Sequence, residues 1–260
     1  MAEANLIDNG TQAGSPTPAD SYWKLFWRSL AGIVDQPQPT LAEIYARARG
    51  AWVGPLLLLV LSLIVITVAQ TPFMAEVARR AIEALPADQA AQAAARMQQL
   101  STPAFMAVTG SLSAIIRLAV SLLLSTAVVY FGGLVAGSEL NFGPLFAVMI
   151  WAWLPLGLRN LVQAAVIAGT RHPIVNHGLS WLVSVGDQAK DSRNFLYFVL
   201  SYVEVFWLWH LVLVWAGVRR AGRTSAGKAA LVVALYVAVT IGLAWIVQLV
   251  VRVFSPVGAL

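Results

Sequence analysis

GAWVGPLLLLVLSLIVITVAQTPFMA, residues 50–75, carries no charged side chain. Coiled as an α-helix at about 1.5 Å per residue, it is longer than the roughly 20 residues that cross a 30 Å hydrocarbon layer. Four more apolar segments follow: about 103–136, broken only by Arg117; 144–168, with Arg159; 194–218, with Glu204; and the uncharged run 229–251. Backbone groups in lipid must bond within their own segment, so these segments read as helices. The fold class is all-α: a polytopic membrane protein with five transmembrane helices plus interfacial amphipathic helices.

Composition agrees. Of 260 residues, 59% are hydrophobic and 11% charged, against about 25% charged in soluble domains. The absence of cysteine excludes disulfides and thiolate metal sites. The net charge of +5 is no argument for a nucleic-acid partner, because membrane proteins concentrate Lys and Arg in cytoplasmic loops.

Residues 1–20 are polar and small and read as a disordered cytoplasmic tail, without the pattern of a removable signal peptide. In 21–49, Trp23, Phe26, Trp27 and Leu30 recur at helical spacing with Lys24 and Arg28 between them. That is the pattern of a helix lying in the headgroup plane, with aromatics dipped and cations on phosphate, so Trp23, Lys24, Phe26, Trp27 and Arg28 are membrane-interface candidates and phospholipids the implied partner. A second helix is expected after Pro39, N-capped by Thr40 with Glu43 three residues on, and running to Arg49. Residues 50–253 form the transmembrane domain and 254–260 a short external tail.

Orientation follows from loop charge. Lys24, Arg28, Arg47 and Arg49 precede the first span, and Arg219, Arg220, Arg223 and Lys228 lie between the fourth and fifth. Both groups are expected in the cytoplasm, which places the N-terminus inside and the C-terminus outside a bacterial inner membrane. In the outer loop 76–102, Val77, Ala81 and Leu85 line one short helix, and Asp88 N-caps a second running through Met97 and Leu100. In the outer loop 169–193, Ile174, Trp181, Leu182 and Val185 suggest a helix resting on the leaflet. The long second span is expected to tilt or bend near Gly132–Gly133, and Pro155 to kink the third.

Ionisable residues at membrane depth mark pairing or function. At about 1.5 Å per residue, Arg117 lies roughly 21 Å deep, Glu204 roughly 15 Å and Arg159 roughly 8 Å. Glu204 therefore sits between the two arginines in depth, and an ion-pair cluster of Arg117, Arg159 and Glu204 is expected, with Asn160 and Gln163 nearby. Such a cluster serves helix packing, substrate or proton handling, or contact of one arginine with a lipid headgroup. His210 does not share a face with Glu204 and is read as a packing residue. His172, His177, Asp187 and Asp191 match no ordered metal site. Zinc-hydrolase, serine-elbow and P-loop signatures are missing and no nucleophilic cysteine is present, so neither catalysis nor a cofactor is expected. Gly133 and Gly137 form a GxxxG pattern suited to helix contact or to turning the chain.

Several stretches together resemble the bacterial branch of the Yip-domain (Ypt-interacting protein) family. They are Val34-Asp-Gln-Pro-Gln-Pro-Thr40 before the first span, Tyr130-Phe-Gly-Gly133 ending the second, Phe146 to Pro155 in the third, Phe206-Trp-Leu-Trp-His210 through Gly217 in the fourth, and Thr224-Ser-Ala-Gly-Lys228 entering the last. The resemblance covers roughly residues 30–253. The Asp-Leu-Tyr-Gly-Pro motif of eukaryotic members, on which a carry-over of Rab-GTPase binding would rest, is absent from the sequence. It implies a five-span, non-enzymatic accessory or scaffold protein that binds other integral membrane proteins; some relatives accompany ABC-type exporters. Self-association is compatible with it. The competing readings are a small-solute or proton-coupled transporter built on the intramembrane Arg and Glu, and a lipid-handling or membrane-shaping protein.

Overall fold

In the computed structural model, residues 18–83, 86 and 102–254 are described. The tail 1–17, the helix expected from Asp88 through Leu100 and the residues after Phe254 lie outside them. The elements run α1 (Pro18–Asp35), α2 (Pro37–Ala46), a short turn α3 (Ala48–Ala51), α4 (Val53–Glu83), α5 (Pro103–Val135), α6 (Phe142–Ala152), α7 (Leu154–Thr170), a 3-10 turn (Ser180–Leu182), α8 (Gln188–Asp191), α9 (Phe195–Ser201), α10 (Val205–Ala221) and α11 (Ala226–Phe254). Four passes are long and apolar enough to cross a membrane: Val53–Val77, Ala104–Val135, Phe142–Thr170 and Ala226–Val251. A further apolar pair, α9 plus α10, is bent by 70° at its break and forms either a fifth, broken span or a re-entrant loop. The protein is a multi-pass, all-helical membrane protein.

Several local details differ from the sequence expectations, each for a physical reason. The second amphipathic helix starts at Pro37, because proline at N1 has its dihedral pre-set and no N–H to leave unsatisfied. Thr40 then lies inside the first turn, its hydroxyl donating back to the Gln36 carbonyl at 2.8 Å, and the helix ends at Ala46 rather than Arg49. Residues 77–83 are not a separate helix but the end of α4, whose exit is knit by pairs of Arg79 with Glu76 (2.9 Å) and Glu83 (2.8 Å).

α2 is the larger surprise. Leu41 and Ile44 are 0% exposed, and α2 packs on α10 and α6 instead of lying free on a headgroup layer. The contact is close because Gly217 of α10 presents no side chain there: a Cβ would meet Val148 Cγ1 at 2.6 Å and reach Leu41 Cδ1 at 3.9 Å. Arg220 Nε donates to Gln38 Oε1 (3.0 Å), and the Asn141 N–H donates to the Tyr45 hydroxyl (2.7 Å). These bonds bring the N-terminal helices, the 137–141 turn and the α10–α11 turn to one end of the bundle. Lys24, Arg28, Arg47, Arg49, Arg219, Arg220, Arg223 and Lys228 belong to these segments, so the two basic stretches share that end.

Gly133 and Gly137 do not hold two helices together. Ser138 N–H bonds the Gly133 carbonyl and Gly137 N–H the Leu134 carbonyl, both at 2.9 Å, with Gly137 at φ +77°. This is the Schellman ending that closes α5, with glycine in the left-handed position. The neighbouring Gly132 is the small residue that lets α11 approach, facing Val232 and Leu235.

Candidate functional site

The polar groups inside the bundle fall into two sets. The deeper one arises from the break in the third pass. Leu156 and Gly157 both direct their N–H groups to the Trp153 carbonyl, and Pro155 has none. The Ala152 carbonyl is thereby released from the helix ladder, and His210 Nδ1 approaches it at 2.8 Å. A carbonyl only accepts, so Nδ1 carries the proton and Nε2 accepts from the Tyr236 hydroxyl at 2.9 Å. His210 and Tyr236 are 0% and 2% exposed, and the His210 ring meets Trp153 and Tyr236 edge to face. The histidine is thus a splice joining α6, α10 and α11 where proline opened a backbone bond. Tyr236 was not singled out in the sequence; one tyrosine in an apolar run gives no signal of its partner.

The second set lies at the end opposite the basic one. Glu204 does not sit within a continuous helix: it is the N-cap residue of α10 in extended geometry (φ −139°, ψ 157°), immediately after the break from α9. The depth reckoned along a straight helix is therefore revised. Its carboxylate makes no capping bond and instead accepts from Arg159 Nη1 at 2.7 Å. A carboxylate at a helix N-terminus is favoured by the helix dipole as well as by the guanidinium. The side chains of Arg159 and Glu204 are 33% and 13% exposed, and Arg159 Nε is buried without a hydrogen-bond partner. One turn on, Gln163 Nε2 lies 3.4 Å from His177 Nδ1. Burial pushes the His177 imidazole below its ordinary range; the Arg159 charge adds to this and Glu204 opposes it. Asn160 Nδ2 reaches Ser62 Oγ on α4 at 3.4 Å.

The expected three-residue cluster is thus a pair. Arg117 is exposed on α5 and has no ion-pair partner among the described residues. The reason is azimuthal: Ala114, Leu118, Leu122, Ser125 and Val129 form the buried stripe of α5, and Arg117 projects from its flank.

The loop over this end is folded. Leu179 N–H bonds the Leu200 carbonyl (3.0 Å) and the Tyr197 hydroxyl reaches Asn176 Oδ1 (2.9 Å), tying the loop to α9. Asp191 is 4% exposed and accepts from Ser184 Oγ (2.5 Å) and Val185 N–H (2.8 Å). His172 is exposed, and Trp181, Leu182 and Val185 face outward around the short 3-10 turn rather than on a leaflet helix. Among the described residues no group of three or more His, Asp or Glu is placed to hold a metal ion.

At the basic end the interfacial aromatics divide. Trp23 and Trp27 are 60% and 62% exposed, but Phe26 is 6% exposed, its ring 5.7 Å from that of Trp151. Phe26 is therefore an anchor into the bundle and not a membrane-facing group. Trp151 Nε1 in turn donates to the Ala51 carbonyl at 2.8 Å. Lys24 is exposed, while Arg28 pairs with Glu43 of α2 and so holds α1 on α2. Two apolar recesses open on the surface, about 300 Å³ between α1, α4 and α7 and about 560 Å³ between α5 and α11.

Residues 31–248 match the sequence profile of the Yip1 domain. Neither the curated proteins nor the solved structures contain a match to the chain.

Proposed function

The chain belongs to the Yip1 domain family, a family of membrane proteins, and from that premise we propose that it is a non-enzymatic accessory or scaffold subunit that binds other integral membrane proteins. The observation that carries this reading is a filled interior beneath long unpartnered faces. Leu41, Ile44, Leu145, Met149, Trp151, His210, Leu213 and Tyr236 pack at 2% exposure or less, whereas only 11% of the most apolar window of α11 and 22% of that of α4 are buried. Alternating access requires two arrangements around a solvated site; here the buried polar atoms of His210 and Tyr236 bond each other, and Arg159 meets Glu204. The recesses are lined by apolar side chains, which suit helices or lipid tails rather than hydrated solutes.

Glu204→Gln tests the proposal against a proton-coupled transporter. A partly exposed pair contributes less than a fully buried one, so a loss of about 1–3 kcal/mol is expected. Thermal unfolding in detergent and recovery of membrane partners by mild-detergent purification are expected to fall together. A variant that keeps its melting temperature and its partners yet loses pH-dependent uptake in proteoliposomes establishes the transporter instead.

We also place the basic end in the cytoplasm of a bacterial inner membrane, since the cations gathered there follow the positive-inside bias. The lack of native cysteine makes the check direct. Arg171→Cys is expected to react with a membrane-impermeant maleimide on intact spheroplasts, and Arg223→Cys only after lysis. The reverse pattern inverts the assignment.

A further inference from the structure

Arg117 is a cation inside the apolar layer with no ion-pair partner among the described residues. Along α5 it lies about 21 Å from Pro103 and about 30 Å from the Gly137 turn. The next residue, Leu118, is in one buried cluster with Leu59 of α4 and Ile150 of α6, well inside two other apolar passes. Helical side chains lean toward the N-terminus. For Arg117 that is the Pro103 end, about 21 Å off along α5 and beyond the reach of one side chain, so leaning that way does not deliver the guanidinium to headgroups. A guanidinium facing lipid at such depth is costly enough that intramembrane cations normally pair.

The geometry points to a docking seam on α5, centred on Arg117, for a transmembrane helix of another protein that carries a carboxylate at matching depth. This rests on the scaffold reading and names the chemistry of its partner. Met106, Gly110, Ser113, Arg117, Val120 and Leu124 follow one another at alternating steps of three and four residues, and the last four are exposed. Gly110 turns toward α4, where a Cβ would meet Thr67 Cγ2 at 3.1 Å, and the small exposed Ser113 keeps the seam shallow one turn from the cation, where a partner helix can approach closely. A second copy of the chain does not supply the anion: Glu204, the one acid within the apolar segments 103–136, 144–168, 194–218 and 229–251, is held by Arg159, and Glu76 near the end of α4 is held by Arg79 and Arg80.

The test uses the full-length protein, donor-labelled, in phosphatidylcholine vesicles, with acceptor-labelled Leu/Ala transmembrane peptides carrying Glu, Gln or Leu at the centre. Energy transfer is expected to show the Glu peptide associating about tenfold more strongly than the Leu peptide, the scale of an interhelical polar contact. Arg117→Leu is expected to abolish that preference without moving the melting temperature, and Arg117→Glu to transfer it to an Arg-bearing peptide. Equal association of the Glu and Leu peptides with the wild type overturns the proposal. So does loss of the Glu preference when phosphatidylglycerol is added, which makes the occupant a lipid headgroup. So does Arg117-dependent energy transfer between two copies of the chain, which makes it a homo-oligomer contact. Failure here with Glu204→Gln behaving as stated above rejects the seam and leaves the scaffold reading standing.

Discussion

Replacing Leu41 and Ile44 together by alanine is expected to destabilise the protein by about 4–8 kcal/mol, a large part of the 5–15 kcal/mol that holds an ordinary domain together. Both side chains are fully enclosed, and each truncation removes apolar contact and leaves a void that α10 and α6 cannot easily close. Gly217 already brings α10 as near to Val148 as backbone packing allows. The measurement is thermal unfolding in detergent, paired with limited proteolysis of the segment 21–49. The expected result is a lowered melting temperature and rapid cleavage there. A helix that merely rested on headgroups would cost less than about 1 kcal/mol on the same substitutions, so a small shift would refute the packing of α2 into the bundle. Trp23→Ala or Trp27→Ala, at exposed positions of α1, provides the contrast and is expected to leave the melting temperature nearly unchanged.

His210→Leu is the second large effect. Leucine fills similar space but leaves the Ala152 carbonyl at the Pro155 break without its partner and takes one of several partners from the Tyr236 hydroxyl. An unsatisfied buried carbonyl costs about 1–3 kcal/mol and the lost bond to Tyr236 about 1 kcal/mol more, giving about 2–4 kcal/mol for the substitution. Tyr236→Phe removes the hydroxyl from Nε2 but leaves the Ala152 carbonyl bonded, so a smaller loss of about 1–2 kcal/mol is expected. The double variant should then be less damaging than the sum of the two, because in it the hydroxyl has gone along with its partner. Strict additivity in detergent melts would show that the bond between His210 and Tyr236 contributes nothing. Pro155→Ala on the same background offers a direct look at cause: an N–H at 155 can bond the Trp151 carbonyl, and without the proline ring the Leu156 N–H can return from Trp153 to the Ala152 carbonyl, so the imidazole matters less.

The unequal treatment of the two arginines shows where packing enters. Arg159 and Arg117 are alike as sequence features, each a single cation in an apolar run. On α7 the Arg159 face turns inward beside Asn160 and Gln163, toward the α9–α10 break. On α5 the stripe from Ala114 to Val129 turns inward and carries Arg117 round to the flank. A depth reckoned along the chain puts both cations near Glu204; only the rotation of each helix about its axis decides which one touches it.

By itself the amino-acid order determined where the apolar segments lie, the all-helical class, the interruption at Pro155 and the distribution of cations among the loops. These are local quantities: segment length against bilayer thickness, a missing N–H, a count of Lys and Arg. The tertiary structure alone decided that α2 is packed into the bundle, that Phe26 points inward while Trp23 and Trp27 point out, and that Gly133 and Gly137 end a helix. It also decided that the apolar segment 194–218 breaks by 70° between Ser201 and Val205, at Tyr202-Val-Glu204, which contains neither proline nor glycine. Those outcomes depend on how helices rotate and press against one another, and a hydrophobic run that is apolar on every side carries almost no record of which side its neighbour will take.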